Sequence, residues 1–175
     1  MQLHIYTDAS YLVLTKELST ITGFYHPKNT PHTSDRFLRN GAILFEWKTL
    51  QNIVESEAEA EVGGIFRNEQ TEIPIINKLE SLVQPQKPTP IRTDNSIATG
   101  FVYNKIHTKR SKYWIMRYYW IQNCTTQEQF EFYWQRGLDN EAVYFTKKHA
   151  TVYHRNMRSR YIRGKIQRLE LNITS

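Results

Sequence analysis

The spacing of apolar and polar residues follows a strand period at the start of the chain. Apolar residues alternate with polar ones from residue 3, and residues typical of a turn follow at 7–10. This pattern predicts a first strand that ends near Asp8. Two more β-rich runs follow at residues 20–25 and 42–47, separated by a Pro-, Asn- and Thr-rich loop at 26–41. Because no helical pattern separates the three runs, we predict that they form antiparallel strands.

A helical period follows these strands. Apolar residues recur at steps of three and four from Leu50 to Ile65, which is the spacing of one helix face. Proline lacks the backbone N–H that a helix interior needs, so we expect Pro74 to end or kink this helix. We expect residues 75–83 to form a second, shorter helix.

The second half of the chain alternates strands with helices. Residues 84–90 contain three prolines and predict a rigid surface connection. The pattern after it predicts, in order, a strand at 91–93, helices at 96–103 and 113–123, a strand at 130–134 and a last helix at 140–147. Antiparallel strands followed by crossover helices imply an α/β fold whose mixed sheet is covered on both faces.

Length and composition narrow the class of protein. A chain of 175 residues suits one domain with a full-sized core, and its 39% apolar and 23% charged residues exclude collagen-like and broadly disordered classes. No apolar run approaches the ~20 residues that span a bilayer, and the start lacks the pattern of a signal peptide. A single cysteine, Cys124, excludes an intrachain disulfide. We therefore expect a soluble intracellular protein, cytoplasmic or nuclear, that does not engage a membrane.

The net charge of +6 lies almost entirely in the tail. From Lys147 onward there are eight basic residues and one acidic residue, so the preceding chain is close to neutral. This divides the chain into a folded domain at 1–148 and a basic tail at 149–175. Such a tail either attracts phosphate backbones or acidic protein partners, or is a solvated and poorly ordered terminus.

Two strands end in similar sequences that carry a carboxylate. Asp8 lies in Thr-Asp-Ala-Ser and Asp94 in Thr-Asp-Asn-Ser. If the two strands are parallel neighbours, both carboxylates lie at the carboxyl end of the sheet, where α/β folds bind ligands. Like charges held together favour a cation, and oxygen ligands suit Mg²⁺ or Mn²⁺. The alternative is that each Asp only caps a turn or a helix.

The predicted first helix carries a run of glutamates. Glu57 and Glu59 fit a solvated acidic face, because Glu59 points away from the apolar stripe. Glu61 falls within the stripe, where a carboxylate is costly unless it has a partner. Glu61 is therefore the third candidate ligand.

These motifs, in this order, resemble the ribonuclease H family. Asp8 in TDAS, Glu61 in AEAEVG and Asp94 in TDNS match its three carboxylate motifs. The resemblance is closer to the ribonuclease H domain of copia-type LTR retrotransposon polyproteins and covers residues 2–148. Its further motifs are Arg-Ser-Lys at 110–112, Met-Arg-Tyr-Tyr at 116–119, Trp-Gln-Arg-Gly at 134–137 and Asn-Glu-Ala-Val-Tyr-Phe-Thr-Lys at 140–147.

The resemblance implies a fold and a chemistry. The fold is a five-stranded mixed sheet, with three antiparallel strands and then parallel strands, flanked by helices. The activity is hydrolysis of the RNA strand of an RNA–DNA hybrid with two Mg²⁺ or Mn²⁺ ions, roughly 3.5–4 Å apart. Asp8 would bridge both ions, and Glu61 and Asp94 would complete the site. The domain would be part of a polyprotein and would work beside the reverse transcriptase or integrase of the same element.

One departure from the family pattern bears on activity. The family has a fourth carboxylate where this chain has Val143, which cannot bind a metal. A second ion would then be held weakly. The alternative function is therefore a catalytically impaired, ribonuclease H-like remnant that binds nucleic acid. An interaction module whose basic tail contacts acidic partners is a third hypothesis.

Basic residues beside aromatic ones predict contacts with the substrate. Lys109, Arg110, Lys112 and Arg117 are interleaved with tyrosines and tryptophans, which suits the phosphates and sugars of a hybrid. Alternatively, the aromatic residues lie on the apolar face of an amphipathic helix and fill the core.

Overall fold

The computed structural model of the chain describes residues 2–12, 18–28, 42–51, 54–103 and 112–161. The elements in order are β1 (Gln2–Ser10), β2 (Thr20–Lys28), β3 (Leu44–Thr49), α1 (Glu57–Ser81), β4 (Thr89–Thr93), α2 (Ser96–Val102), α3 (Lys112–Thr126), β5 (Phe130–Trp134), α4 (Val143–Thr146) and α5 (Thr151–Tyr161). A short 3₁₀ turn, Gly137–Asp139, precedes α4. All five predicted strands are present, although residues 29–41 of the predicted loop lie outside the described part.

The strands form one mixed sheet in the order β3-β2-β1-β4-β5. β1, β2 and β3 pair antiparallel, whereas β4 and β5 run parallel to β1. This is the predicted five-stranded arrangement of three antiparallel strands followed by parallel strands. This order makes β1 the central strand. It pairs on one side with β2, the next strand along the chain, and on the other side with β4, which follows α1.

Helices cover both faces of the sheet, as predicted. The main core lies between the sheet and α1 and α3, where Ile5 and Ile91 pack against Ile65 and Ile121. On the opposite face, Phe24 packs with aromatic residues of α4 and α5. Among the described helices, none is both long enough and apolar enough to cross a membrane.

The helix end predicted as one outcome at Pro74 is wrong, because α1 runs through Pro74 as one helix of 25 residues. Pro74 lies on the exposed side of the helix and has no N–H to donate to the Gln70 carbonyl. Gln70 is exposed as well, so its carbonyl can bind water instead. Ile73 and Ile75 on either side pack against the core. Tertiary packing therefore keeps the helix continuous through a residue that usually ends one, and residues 75–81 of the separate helix predicted at 75–83 are the last part of α1.

The start of α1 also differs from the prediction. The helix begins at Glu57, and Leu50 belongs to a small core cluster ahead of it. Ser56 caps the helix by accepting the N–H of Glu59 at 3.3 Å. The predicted solvated position of Glu59 is wrong: it is 5% exposed, and its Oε2 accepts the N–H of Glu55 at 2.7 Å. This capping arrangement turns the Glu59 side chain back onto the preceding backbone.

The C-terminal helices depart from the single helix predicted at 140–147. Only Val143–Thr146 is α-helical there. A further helix, α5, covers Thr151–Tyr161, within the predicted tail. The Tyr161 ring packs against Phe24 and its hydroxyl donates to the Glu141 carbonyl at 2.9 Å.

Candidate metal centre

The sheet brings Asp8 and Asp94 together. β1 and β4 pair parallel with Ile5 opposite Ile91, and the same register carried on by three residues places Asp8 opposite Asp94. Asp8 lies near the carboxyl end of β1 and is 2% exposed, while Asp94 follows the last residue of β4 and is half-buried. The two carboxylates are therefore neighbours at the ends of parallel strands, as predicted.

Glu61 reaches the same place from α1. It lies in the second turn after the Ser56 cap and is 3% exposed. Its Oε1 accepts the backbone N–H of Ala9 at 3.0 Å. Its Oε2 is buried and has no hydrogen-bond partner among the described residues. The hydrogen bond fixes one oxygen and leaves the other available to a ligand.

Residues at the end of β5 and just after it shape the position of Asp94. The indole N–H of Trp134 donates to the Asp94 carbonyl at 2.9 Å, which fixes the backbone at the end of β4. Gly137 approaches the carboxylate so closely that a Cβ added there would lie 2.7 Å from Asp94 Oδ2. The Trp-Gln-Arg-Gly motif thus holds Asp94 and makes room for it.

A hydroxyl, rather than a fourth carboxylate, approaches Asp8 from α4. The Thr146 hydroxyl donates to Asp8 Oδ2 and also lies 3.1 Å from the Val143 carbonyl. Asn140 anchors this segment, because its Nδ2 donates to the Thr7 carbonyl at 2.8 Å. Val143 itself is half-buried and begins the helix.

The three carboxylates form a compact group with strong mutual repulsion. Asp8, Glu61 and Asp94 each place an oxygen within 4.8 Å of the others. Burial raises the pKa of Asp8 to about 7, with Asp94 adding to the rise, whereas Thr146 opposes it. Burial and then the charge of Asp8 raise the pKa of Glu61 well above its ordinary value. Asp8 and Glu61 therefore bind protons more readily than ordinary carboxylates do, and a cation would compete with those protons.

The donor set fits a hard divalent cation. Three carboxylates converge, and one buried oxygen, Glu61 Oε2, has no other partner among the described residues. All available ligands are oxygens, which suits Mg²⁺ or Mn²⁺ better than zinc. Within the part of the chain that the structure describes, this is the one cluster of three or more acidic, His or Cys side chains with such geometry.

The predicted nucleic-acid contacts are only partly visible. Lys109 and Arg110 lie outside the described residues, and Lys112 is the first residue of α3 with its side chain outside the described part. Arg117 is half-buried on α3, with its guanidinium carbon 5.1 Å from the ring centre of Phe66. Burial and then the nearby charge of Arg67 lower the pKa of Arg117.

Sequence reasoning missed the residues that position the carboxylates. Thr146, Trp134 and Gly137 all lie within motifs quoted for the resemblance, but no local pattern assigns them a contact. For Thr146 there was a signal: it follows Val143 by three residues, so both lie on one side of a helical turn. The roles of Trp134 and Gly137 follow only from the pairing of β4 with β5.

Comparison with known proteins identifies the fold. No protein-family model matches the chain, and no curated protein matches it in sequence. Among solved structures, LC11 ribonuclease H1, isolated from compost, is similar with a TM-score of 0.59 and 12% identity, over 83% of this chain and 91% of that one. LC11 ribonuclease H1 in complex with an RNA/DNA hybrid gives 0.56 and 10%, over 83% and 93%.

A viral structure is also similar. The native protease-reverse transcriptase of prototype foamy virus matches with a TM-score of 0.54 and 11% identity, over 82% of this chain and 19% of the viral one. This chain therefore spans about a fifth of that protein. Together these likenesses show that the chain has a ribonuclease H-like fold.

Proposed function

We propose that the protein is an endoribonuclease that hydrolyses the RNA strand of RNA–DNA hybrids with divalent cations. The observation that carries this proposal is the convergence of Asp8, Glu61 and Asp94 within 4.8 Å on a ribonuclease H-like fold. A structural neighbour, LC11 ribonuclease H1, is described in complex with an RNA/DNA hybrid, which supports the choice of substrate.

The chain's own residues prepare the site for Mg²⁺ or Mn²⁺. Asp8, Glu61 and Asp94 would hold the cation, which supplies positive charge that polarises a phosphate and lowers the pKa of water. The Ala9 N–H orients Glu61, and the Thr146 hydroxyl orients Asp8. Because these donors are fixed before any ligand arrives, the carboxylates need little reorganisation.

We propose two cations in the complete site, the second held weakly. The family resemblance places a fourth carboxylate at Val143, and α4 offers the Thr146 hydroxyl to Asp8 instead. A neutral hydroxyl balances the charge of a second divalent ion less well than a carboxylate. The same observation favours a second candidate function, an impaired ribonuclease H-like protein that binds hybrids without cleaving them.

We also propose an origin and a set of partners. The resemblance over residues 2–148 favours the ribonuclease H part of a copia-type retrotransposon polyprotein, acting with its reverse transcriptase or integrase. The foamy virus neighbour, a protease-reverse transcriptase, is consistent with that setting. Lys109, Arg110, Lys112 and Arg117 are the proposed contacts to the hybrid, and the basic residues of 149–175 extend the attraction to phosphates.

The test is cleavage of an end-labelled RNA–DNA hybrid in Mg²⁺ and in Mn²⁺. The native chain is compared with Asp8→Asn, with Val143→Asp and with the matched control Asp139→Asn, an exposed residue next to α4. We expect Asp8→Asn to lower the rate by at least ~100-fold and Asp139→Asn to leave it within about twofold.

The outcomes separate the two candidates. Cleavage that depends on Asp8 supports the enzyme. A folded native chain that gains cleavage only with Val143→Asp supports the impaired protein. Absence of cleavage in every folded variant would reject the enzyme.

A further inference from the structure

The sheet has an open strand on the side away from its parallel strands. β3 is the outermost strand there, and among the described residues only β2 pairs with it. None of the described helices packs extensively on β3. Two large apolar side chains of this strand are open to solvent, because Phe45 is 42% exposed and Trp47 is 48% exposed. An edge strand of this kind is a template for pairing with a further strand.

The hydrogen bonds between β2 and β3 determine which backbone groups of β3 face outward. The Leu50 N–H donates to the Ser19 carbonyl at 2.8 Å, at the end of the β2–β3 ladder. Because the backbone groups of an antiparallel strand point alternately to its two sides, the even-numbered residues of β3 bond to β2. The N–H and C=O groups of Phe45, Trp47 and Thr49 therefore point to the open side of the strand.

The side chains of β3 separate charge from aromatic surface. Glu46 and Lys48 lie on the face of the sheet that carries α1, where the Lys48 ammonium is 2.7 Å from Glu46 Oε1. The other Glu46 oxygen accepts from the Thr71 hydroxyl of α1 at 3.0 Å. Phe45 and Trp47 lie on the opposite face, toward α4. The order along the strand is therefore aromatic, acidic, aromatic, basic.

This order is complementary to itself in the antiparallel direction. If two copies of β3 pair about Trp47, the two Trp47 residues lie opposite each other, and Glu46 of each copy lies opposite Lys48 of the other. The outward backbone groups of Phe45, Trp47 and Thr49 then meet one another in hydrogen-bonded pairs. Glu46 and Lys48 form the pairs in between, where opposed side chains come closest and opposite charges stabilise the pairing.

We propose that β3 is an interface between two copies of this chain, which pair antiparallel about Trp47 into one continuous sheet. The proposal is independent of the proposed function, because none of the candidate metal ligands takes part in it. The arrangement closes on a two-fold axis and therefore yields a dimer rather than a longer assembly. Since β3 has only six residues, the contact is small, and we expect a Kd of about 10 µM.

The test is analytical ultracentrifugation of the full chain from about 1 to about 200 µM, at a salt concentration that screens long-range repulsion. Two variants each reverse one charge. Glu46→Lys opposes a lysine to Lys48 of the other copy, and Lys48→Glu opposes a glutamate to its Glu46. The matched controls, Glu80→Lys and Lys78→Glu, reverse the same charges at exposed positions near the end of α1.

We expect the native chain to dimerise as its concentration rises, and each reversal in β3 to weaken the dimer at least about tenfold. The two controls should associate as the native chain does. An equimolar mixture of Glu46→Lys and Lys48→Glu should regain the native affinity, because every lysine of one variant then lies opposite a glutamate of the other. Mixing would not repair a structural defect in either variant.

A second pair of variants tests the backbone of the strand and serves also if a charge reversal does not fold. Thr49→Pro removes an N–H that points outward, so it leaves the hydrogen bonds to β2 in place. Thr49→Ala keeps that N–H. We expect the proline to weaken the dimer at least about tenfold and the alanine to change its affinity by less than about twofold.

Four results would overturn the interface. The first is a native chain that stays monomeric over the whole concentration range. The second is a dimer that survives both charge reversals in β3, because its contact would lie elsewhere. The third is a loss of the dimer in both variants without recovery in their mixture, which would reject the pairing about Trp47. The fourth is an equal loss in the controls on α1, which would reduce the effect to general charge.

Discussion

The backbone N–H of Ala9 donates to Oε1 of Glu61 at 3.0 Å, so β1 itself orients the carboxylate that α1 delivers to the candidate metal centre. The other oxygen of Glu61 is buried without a partner among the described residues. Asp8, next to Ala9, is held in turn by Thr146. Hydrogen-bond donors thus position both Glu61 and Asp8. The burial and proximity of these carboxylates raise their pKa values.

The first prediction concerns the stabilisation of the fold by Mg²⁺. Burial raises the pKa of Asp8 to about 7, so below that pH the cation competes with a proton on Asp8. Each pH unit below about 7 should weaken binding by up to ~1.4 kcal/mol. We therefore expect added MgCl₂ to raise the Tm more at about pH 8 than at about pH 6 in thermal unfolding.

Its controls use the same unfolding measurement. Asp8→Asn should lose most of the Mg²⁺-dependent rise in Tm at both pH values, whereas the exposed Asp139→Asn should keep it. An equal rise in Tm in Asp8→Asn and in the native chain would show that Mg²⁺ binds elsewhere.

The second prediction concerns Gly137. A methyl group there would lie 2.7 Å from Asp94 Oδ2, and the flexible carboxylate would rotate away from Asp8 and Glu61. We expect Gly137→Ala to weaken Mn²⁺ binding about tenfold in calorimetry, with less than ~1 kcal/mol change in the free energy of unfolding. Leu138→Ala, at a neighbouring exposed position, should change neither quantity. Unchanged Mn²⁺ affinity in Gly137→Ala would contradict the role of this close approach.

The third prediction concerns two carboxyls buried in the core away from the metal centre. Glu69 and Glu72 are each fully buried on α1, and their oxygens have no hydrogen bond of normal geometry among the described residues. Burial raises the pKa of Glu72 to about 8 from an ordinary 4.5. Since the fold favours the neutral carboxyl, the contribution of Glu72 to stability is complete below its ordinary pKa of 4.5 and is lost as the pH rises through about 8.

Replacing Glu72 should therefore flatten the dependence of stability on pH. Between about pH 5 and 8, one such carboxyl costs ~1.4 kcal/mol per pH unit, and Glu72→Met removes it. Urea unfolding at several pH values should give a smaller slope for this variant and a higher stability than the native chain at about pH 8. The exposed Glu80→Gln should reproduce the native slope. A native slope in Glu72→Met would mean that this carboxyl is hydrated in solution.

The fourth prediction concerns the end of α1. Val83 adopts the left-handed conformation with φ of 61°, while its N–H donates to the Glu80 carbonyl and that of Gln84 to the Leu79 carbonyl. This is the Schellman motif, in which glycine is preferred because a Cβ is strained. We expect Val83→Gly to stabilise the fold by ~1 kcal/mol in urea unfolding. Val83→Ala keeps a Cβ and should gain much less; an equal gain would locate the strain in the β-branch instead.

Local patterns were sufficient to predict the five strands and the convergence of the three carboxylates. The repeated Thr-Asp sequences near the ends of β1 and β4 predict that Asp8 and Asp94 lie together, and the position of Glu61 within the apolar stripe predicts its burial. These features are encoded by neighbouring residues. The expectations for Pro74 and Glu59 were wrong because packing of α1 on the core and capping at Ser56 override the local preference.

Contacts between distant parts of the chain could not be predicted in the same way. Thr146 lies 138 residues from the carboxylate that accepts its hydrogen bond, and Trp134 lies 40 residues from the carbonyl of Asp94. Arg67 and Arg117 come from different helices, and only the packing of α1 and α3 brings them to one cleft. Apart from the three-residue step from Val143 to Thr146, no periodicity or spacing in the sequence points to these contacts.

The central position of β1 has a consequence for synthesis of the chain. Asp8 is translated before the residues that surround it in the fold: Glu61 and β4 follow much later, and Thr146 comes last. Domains fold as units once such non-local pairings can form, and those pairings are slow. A nascent chain that stops before α4 would therefore carry every ligand carboxylate without the hydroxyl that orients Asp8. The candidate metal centre is in this way completed only after almost the whole domain has been translated.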